Sequence, residues 1–203
     1  ASDVFLRPRN IQNVLRAAVA IGLVSIGQTF AILIGGIDLS MGAVVSLTSC
    51  LTTGLILGRG PLVVPVVLLV IFLALLIGFL NGFITTRTGV SPLIVTIGMM
   101  SIVEGAVLTY TKSPIGEIPS FFGTIAWGKI GPIPVPVLIF AVAMAAGIFV
   151  LQRTRFGCYV YATGGNEEAA KLSGISTDRI KIFTYMISSF TACISGLFLA
   201  SQM

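Results

Sequence analysis

The chain has 203 residues, 56% of them hydrophobic and only 9% charged, with a formal net charge of +5. Ordinary soluble proteins carry roughly 25% charged residues, so this composition excludes a soluble domain and predicts an integral membrane protein. Histidine is absent and the three cysteines, Cys50, Cys158 and Cys193, form no CxxC, which argues against His-based catalysis, a zinc site or a disulfide framework. No cofactor is expected. The Lys and Arg residues sit mostly between apolar runs, where they set topology rather than bind nucleic acid.

In chain order, a first apolar segment at 13–34 is long enough to cross a bilayer and ends in the breaker Gly35-Gly36. A second, at 41–57, follows Asp38-Leu39-Ser40, where Asp38 or Ser40 can cap the new helix. Arg59-Gly60-Pro61 turns the chain into a third, long Val/Leu/Ile run at 62–86, closed by Arg87-Thr88-Gly89. The fourth, at 92–111, holds Glu104, Gly98, Gly105 and several hydroxyl residues, and is the segment expected to be partial or re-entrant.

Residues 112–133 read as a polar, Pro/Gly-rich connection whose Trp127 suits the headgroup interface. A fifth segment at 134–151 leads to the basic stretch 153–181, and a sixth runs from 182 to the end. The sixth is rich in small residues (Ser188, Ser189, Ala192, Ser195, Gly196, Ala200) that let helix backbones approach closely. The fold class is therefore all-α: a polytopic transmembrane bundle of about six membrane segments, forming a single membrane domain. The chain starts without Met, shows no signal peptide over residues 1–10, and stops on an apolar run, so a fragment is expected.

Counted by side, basic residues tie: Arg87, Arg153, Arg155, Lys171, Arg179 and Lys181 against Arg7, Arg9, Arg16, Arg59, Lys112 and Lys129. Concentration breaks the tie, because five of the first group fall in one loop, which predicts that 153–181 is cytoplasmic.

Within that loop a short helix is expected over 166–175. Asn166 would be its N-cap, Glu167 and Glu168 would lie in its first turn, and Lys171 near its end. Gly174 would take the left-handed stop, and Ala169, Ala170 and Leu172 would offer an apolar face. It reads either as an interfacial linker or as a docking element, since so short a helix is marginal alone and a partner groove would hold it. Elsewhere, Asp38 is first expected to cap a helix and second to contact solute at a broken helix, with Ser40 beside it as a further pathway candidate. Gln28 and Asn81 would line a pathway or bond helices together. Glu104 is either an intramembrane functional acid or an interfacial one.

Four blocks, GGIDLSMGAVVSL at 35–47, LIGFLNGFITTRTGVSPLIVTIGMMSI at 76–102, TRFGCYVYATGGNEEAAKLSGI at 154–175 and TDRIKIFTYMISS at 177–189, resemble bacterial ABC importer permeases for simple sugars of the ribose and xylose type. Branched-chain amino-acid permeases belong to the same broad group. The likeness implies a multi-pass protein of the bacterial inner membrane, with residues 166–175 as the coupling helix for a cytoplasmic ATPase. It also implies a second permease chain, an extracytoplasmic solute-binding protein and surrounding lipid as partners, and no enzymatic step on this chain, which has no GxxxxGK[ST] phosphate loop. Such permeases continue well past the helix that follows the loop, and commonly carry a basic residue where this chain has Glu104. The rival reading from the residues is an ion-coupled secondary transporter using Asp38 and Glu104; a third is a non-transporting assembly subunit.

Overall fold

The computed structural model describes residues 8–111, 116–131 and 133–203. Nine α-helices occur among them: α1 Pro8–Leu33, α2 Met41–Ile56, α3 Val63–Thr88, α4 Pro92–Tyr110, α5 Ser120–Trp127, α6 Val135–Arg153, α7 Arg155–Gly165, α8 Glu167–Leu172 and α9 Thr177–Ala200, with a 3-10 turn at Gly60–Leu62 before α3. A small antiparallel ribbon, β1 Lys129–Ile130 with β2 Ile133–Pro134, joins α5 to α6. Five helices (α1, α3, α4, α6 and α9) are long and apolar enough to cross a membrane. The chain is a polytopic helical membrane bundle.

The short element is α2, and not the 92–111 segment that the sequence marks as partial. α4 is continuous over 19 residues despite Gly98, Glu104 and Gly105: Pro92 starts it without loss of a helical bond, and Ser101 and Thr109 satisfy their hydroxyls on the Ile97 and Gly105 carbonyls one turn back. α2 spans 16 residues, about 24 Å, against a hydrocarbon core of about 30 Å. It starts deep in the bundle instead of at its edge. Ser188, which faces the start of α2 through Asp38, lies eleven residues into α9, about 16 Å from that helix's start.

α9 is the axis of the bundle. More than half of its spanning window is buried (56%), whereas α6 buries only 6% of its own, and α9 packs most extensively on α3, α1 and α2. The small residues expected to allow close approach do so. A Cβ at Gly82 of α3 would lie 2.5 Å from the Ile182 Cα, and one at Gly196 of α9 would lie 2.7 Å from the Val45 carbonyl oxygen. A central cluster of Met41, Val44, Val70, Ala74, Ile77, Met99, Val103 and Ala192 fills the space where α2, α3, α4 and α9 meet.

Two boundaries differ from expectation. The 112–133 connection holds the helix α5, whose Phe122 is buried against the ends of α2, α3 and α9 and whose Ala126 is buried against α1 and α9. α9 starts at Thr177 and not at 182, since its first turns (Asp178, Arg179, Lys181) are helical but polar and an apolarity criterion passes over them. At the end of the bundle away from α8, Arg16 stacks 3.9 Å from the Trp127 ring centroid and donates to the Ala126 carbonyl at 3.0 Å. Arg7 and Lys112 lie outside the described residues.

Candidate functional site

α1 stops where Gly35 takes a left-handed φ of +76°, a conformation costly for any residue with a Cβ. The Gly35 and Gly36 amides bond back to the Ile32 and Ala31 carbonyls, closing the helix end. The non-helical run 36–39 then leads into α2, with Gly36 and Asp38 buried and Ile37 and Leu39 exposed. Non-helical backbone at this depth must find partners within the protein. Thr96 of α4 supplies one, donating to the Ile37 carbonyl at 3.2 Å.

Asp38 is 3% exposed and anchors this break. Its Oδ1 accepts from the Ser40 amide (3.0 Å) and hydroxyl (2.6 Å), and its Oδ2 accepts from the Ser188 hydroxyl of α9 (2.7 Å). Asn81 of α3 donates through Nδ2 to Ser40 Oγ at 2.8 Å. Four residues from three parts of the chain thus form one buried network joining the break, α3 and α9. Asp38 does not cap α2 in the expected manner. Ser40 holds the N-cap position but bonds no helix amide with its side chain, and Asp38 instead folds a tight turn onto Ser40. Among the described residues no cation pairs with Asp38, so hydroxyl and amide donors alone offset the cost of burying the carboxylate.

Next to this network, Asn81 Oδ1, Tyr185 Oη and Thr85 Oγ1 are buried without hydrogen-bond partners among the described residues, as is Gln28 Oε1 on α1. Tyr185 and Thr85 also line a cavity of about 430 Å³ that opens toward the α8 end, with Gly36 at its inner wall and Glu167 and Lys181 at its rim. Polar groups thus line one side of the space between the break and α8, beside the apolar cluster of Ile34, Val160 and Ile180. Glu104 does not join this arrangement. It is exposed on α4, on the side away from the buried Thr96, Met99 and Val103. An ion-coupled mechanism shared by Asp38 and Glu104 thus finds no common site.

The 153–181 stretch is a helix–cap–helix unit. Thr154 caps α7, accepting from the Gly157 amide at 3.2 Å. Asn166 caps α8, accepting from the Ala169 amide at 3.0 Å, and Gly174 takes φ +83° just past its end. α8 covers Glu167–Leu172, shorter than the expected 166–175. Its apolar residues do not share one face: Ala170 is buried, whereas Ala169 is exposed and Leu172 is 91% exposed. Glu168 is exposed as well.

Glu167 points the other way. It pairs with Lys181 of α9 at 2.6 Å and with Lys171 at 3.0 Å, and accepts from Thr177 Oγ1 at 3.2 Å. The Lys181 hydrogen bond is the main reason its carboxyl is held at about 2, well below its ordinary 4.5. Sequence reasoning missed Lys181, Ser188 and Tyr185 as site residues. Their partners lie 14, 150 and 149 positions away, the last being Gly36, where a Cβ would collide with Tyr185 Oη, and no local pattern encodes such distances.

Together these features define a multi-pass helical membrane protein with a broken helix at its core and a compact helical unit at one end. The chain belongs to the family described as branched-chain amino acid transport system / permease component, whose model matches residues 10–203. It is 36% identical to a ribose import permease protein of Haemophilus influenzae, over 98% of this chain and 63% of the relative. It is 39% identical to a ribose import permease protein of Bacillus subtilis (98% and 62%), and 32% identical to an L-arabinose ABC transporter permease protein of Azospirillum brasilense (98% and 59%). The chain spans somewhat under two thirds of the length of these relatives. No solved structure matches it. Family and spans together make it a multi-pass protein of the bacterial inner membrane.

Proposed function

We propose that the chain belongs to the membrane-spanning subunit of an ATP-driven importer, translocating a small sugar that an extracytoplasmic binding protein delivers. The observation that carries this reading is the presence of an exposed, capped helix, α8, on a chain that aligns over 98% of its length with ribose import permeases. Residues 166–175 form the contact with a cytoplasmic ATPase: Glu168, Ala169 and Leu172 face the partner, while Asn166 and Gly174 bound the helix and Ala170 and Glu167 fasten it to α7 and α9. A second permease chain completes the pathway wall. ATP is hydrolysed on the ATPase, and this chain does no covalent chemistry. Solute movement follows from the partner's different affinity for two arrangements of the bundle, which is all that a bound partner can contribute.

A pentose or hexose presents only neutral hydroxyls, and the polar groups of the broken-helix region are suited to those. Gln28, Asn81 and Tyr185 offer hydrogen-bonding atoms not used among the described residues, and Asp38 and Ser40 hold the backbone beside them. Glu104, exposed on α4, belongs to the pathway wall or to the interface with the second permease chain.

The test is ATP-dependent uptake of labelled ribose, xylose and arabinose by the complete transporter in vesicles, comparing wild type with Leu172→Asp plus Glu168→Lys. Uptake lost with membrane insertion intact supports the docking assignment. Unchanged uptake removes it.

A further inference from the structure

On the flank of the bundle near α8, between the last turns of α3 and the first turns of α9, lies an open cavity of about 540 Å³, apart from the broken-helix region and sharing only Lys171 and Ile175 with the proposed ATPase contact. Its walls are of two kinds. Phe79 and Phe83, stacked with ring centroids 5.7 Å apart and each about 40% exposed, form with Ile182 an apolar lower wall. Arg87, Lys171 and Arg179 form a cationic upper rim, with Asp178 the one acid among them. Lys171 is committed in part to Glu167, but neither Arg87 nor Arg179 has an ion-pair partner among the described residues. Arg87 instead lies over the Phe83 ring, 5.7 Å from its centroid.

The spacing along α3 is informative. Arg87 follows Phe79 by eight residues, about 12 Å along the helix axis, and it falls where the apolar stretch of α3 ends. An apolar wall that leads to a net cationic rim over that distance matches a phospholipid, with acyl chain against the rings and phosphate at the rim. A zwitterionic headgroup would bring its own ammonium to the two unpaired arginines, whereas an anionic headgroup would not. Basic pockets between spanning helices at a membrane surface are suited to anionic headgroups on these grounds.

We propose that this cavity binds one anionic phospholipid, with its phosphate on Arg87 and Arg179 and its acyl chain along Phe79 and Phe83. Because Lys171 belongs to α8 and shares the rim, the bound lipid also holds α8 against the membrane surface. The proposal needs only that α3 and α9 span a bilayer, so it stands or falls separately from the importer reading.

The experiment is native mass spectrometry of the full chain purified from membranes containing phosphatidylglycerol and phosphatidylethanolamine. Wild type is expected to retain one phosphatidylglycerol in preference to phosphatidylethanolamine. That preference should fall by roughly fivefold for each arginine removed in Arg87→Gln and Arg179→Gln, the contribution of one cationic side chain at an anionic surface. Phe79→Ala with Phe83→Ala should lower retention of both lipids, and Arg179→Lys should keep most of the preference. Equal retention of the two lipids by wild type would overturn the proposal, as would a preference unchanged by the double arginine substitution. Displacement of phosphatidylglycerol by inorganic phosphate at matched concentration would show a free-anion site and equally overturn the lipid assignment.

Discussion

The broken-helix network and α8 are both polar insertions in an apolar chain, but they are built in opposite ways. At the break, every polar contact turns inward: Asp38, Ser40, Asn81 and Ser188 are all buried and bonded to one another across three parts of the sequence. On α8, one polar residue, Glu167, turns inward to hold the helix, while Glu168, Ala169 and Leu172 are left exposed. Buried polar groups must be satisfied within the protein or they cost stability. An exposed apolar side chain at the end of a six-residue helix contributes almost nothing to the chain's own fold, so its value lies in contact with something else. The comparison separates residues that hold the bundle together from residues free to meet a partner.

The largest effect that would sharpen this contrast comes from the packing around the break. Gly78→Val would place a Cβ 2.5 Å from the Tyr185 carbonyl oxygen and 2.7 Å from the Met186 Cα. A destabilisation of about 3 kcal/mol or more is expected, visible as loss of folded protein in detergent by size-exclusion chromatography. Next is Asp38→Ala, which strands the Ser40 and Ser188 donors and should cost about 2–4 kcal/mol in thermal unfolding, with Asp38→Asn milder because one acceptor oxygen remains. Normal stability of the alanine variant would show the network to be incidental.

A smaller and more local effect is expected at Glu167. Its carboxyl is held at about 2, below its ordinary 4.5, so its ion pairs stabilise the attached α8 fully above about pH 4.5. The contribution declines as pH falls toward 2. Glu167→Gln should lower the protection of amides in 167–172 against hydrogen exchange at neutral pH, leave α3 and the body of α9 beyond its first turns unchanged, and abolish the acid dependence of that protection. The smallest effect on the fold belongs to Leu172→Asp, whose stability change should stay within about 0.5 kcal/mol while ATPase binding is lost.

The spanning segments were legible because apolar runs of bilayer length leave few alternatives, and the caps at Asn166 and Gly174 follow from local chemistry. α7 was not legible. RFGCYVYATGG mixes glycines with β-branched and aromatic residues, and the helix depends on the Thr154 cap and on packing of Val160 with Ile34, Ile180 and Tyr185. The start of α9 was misplaced for a related reason, since polar residues extend a membrane helix beyond the bilayer without ending it. Asp38 shows the limit most clearly. Its position after two glycines indicates a helix break, but its bond to Ser188 links residues 150 positions apart, and only the folded chain brings them together.

The most direct measurement is co-purification of ATPase from membranes expressing the full-length permease, as wild type, as Glu168→Lys with Leu172→Asp, and as Asp38→Asn. The account predicts that an ATPase accompanies wild type and Asp38→Asn but not the α8 variant, with all three inserted in the membrane. An ATPase that stays with the α8 variant, or one that is absent from wild type under conditions that preserve complexes, would contradict it.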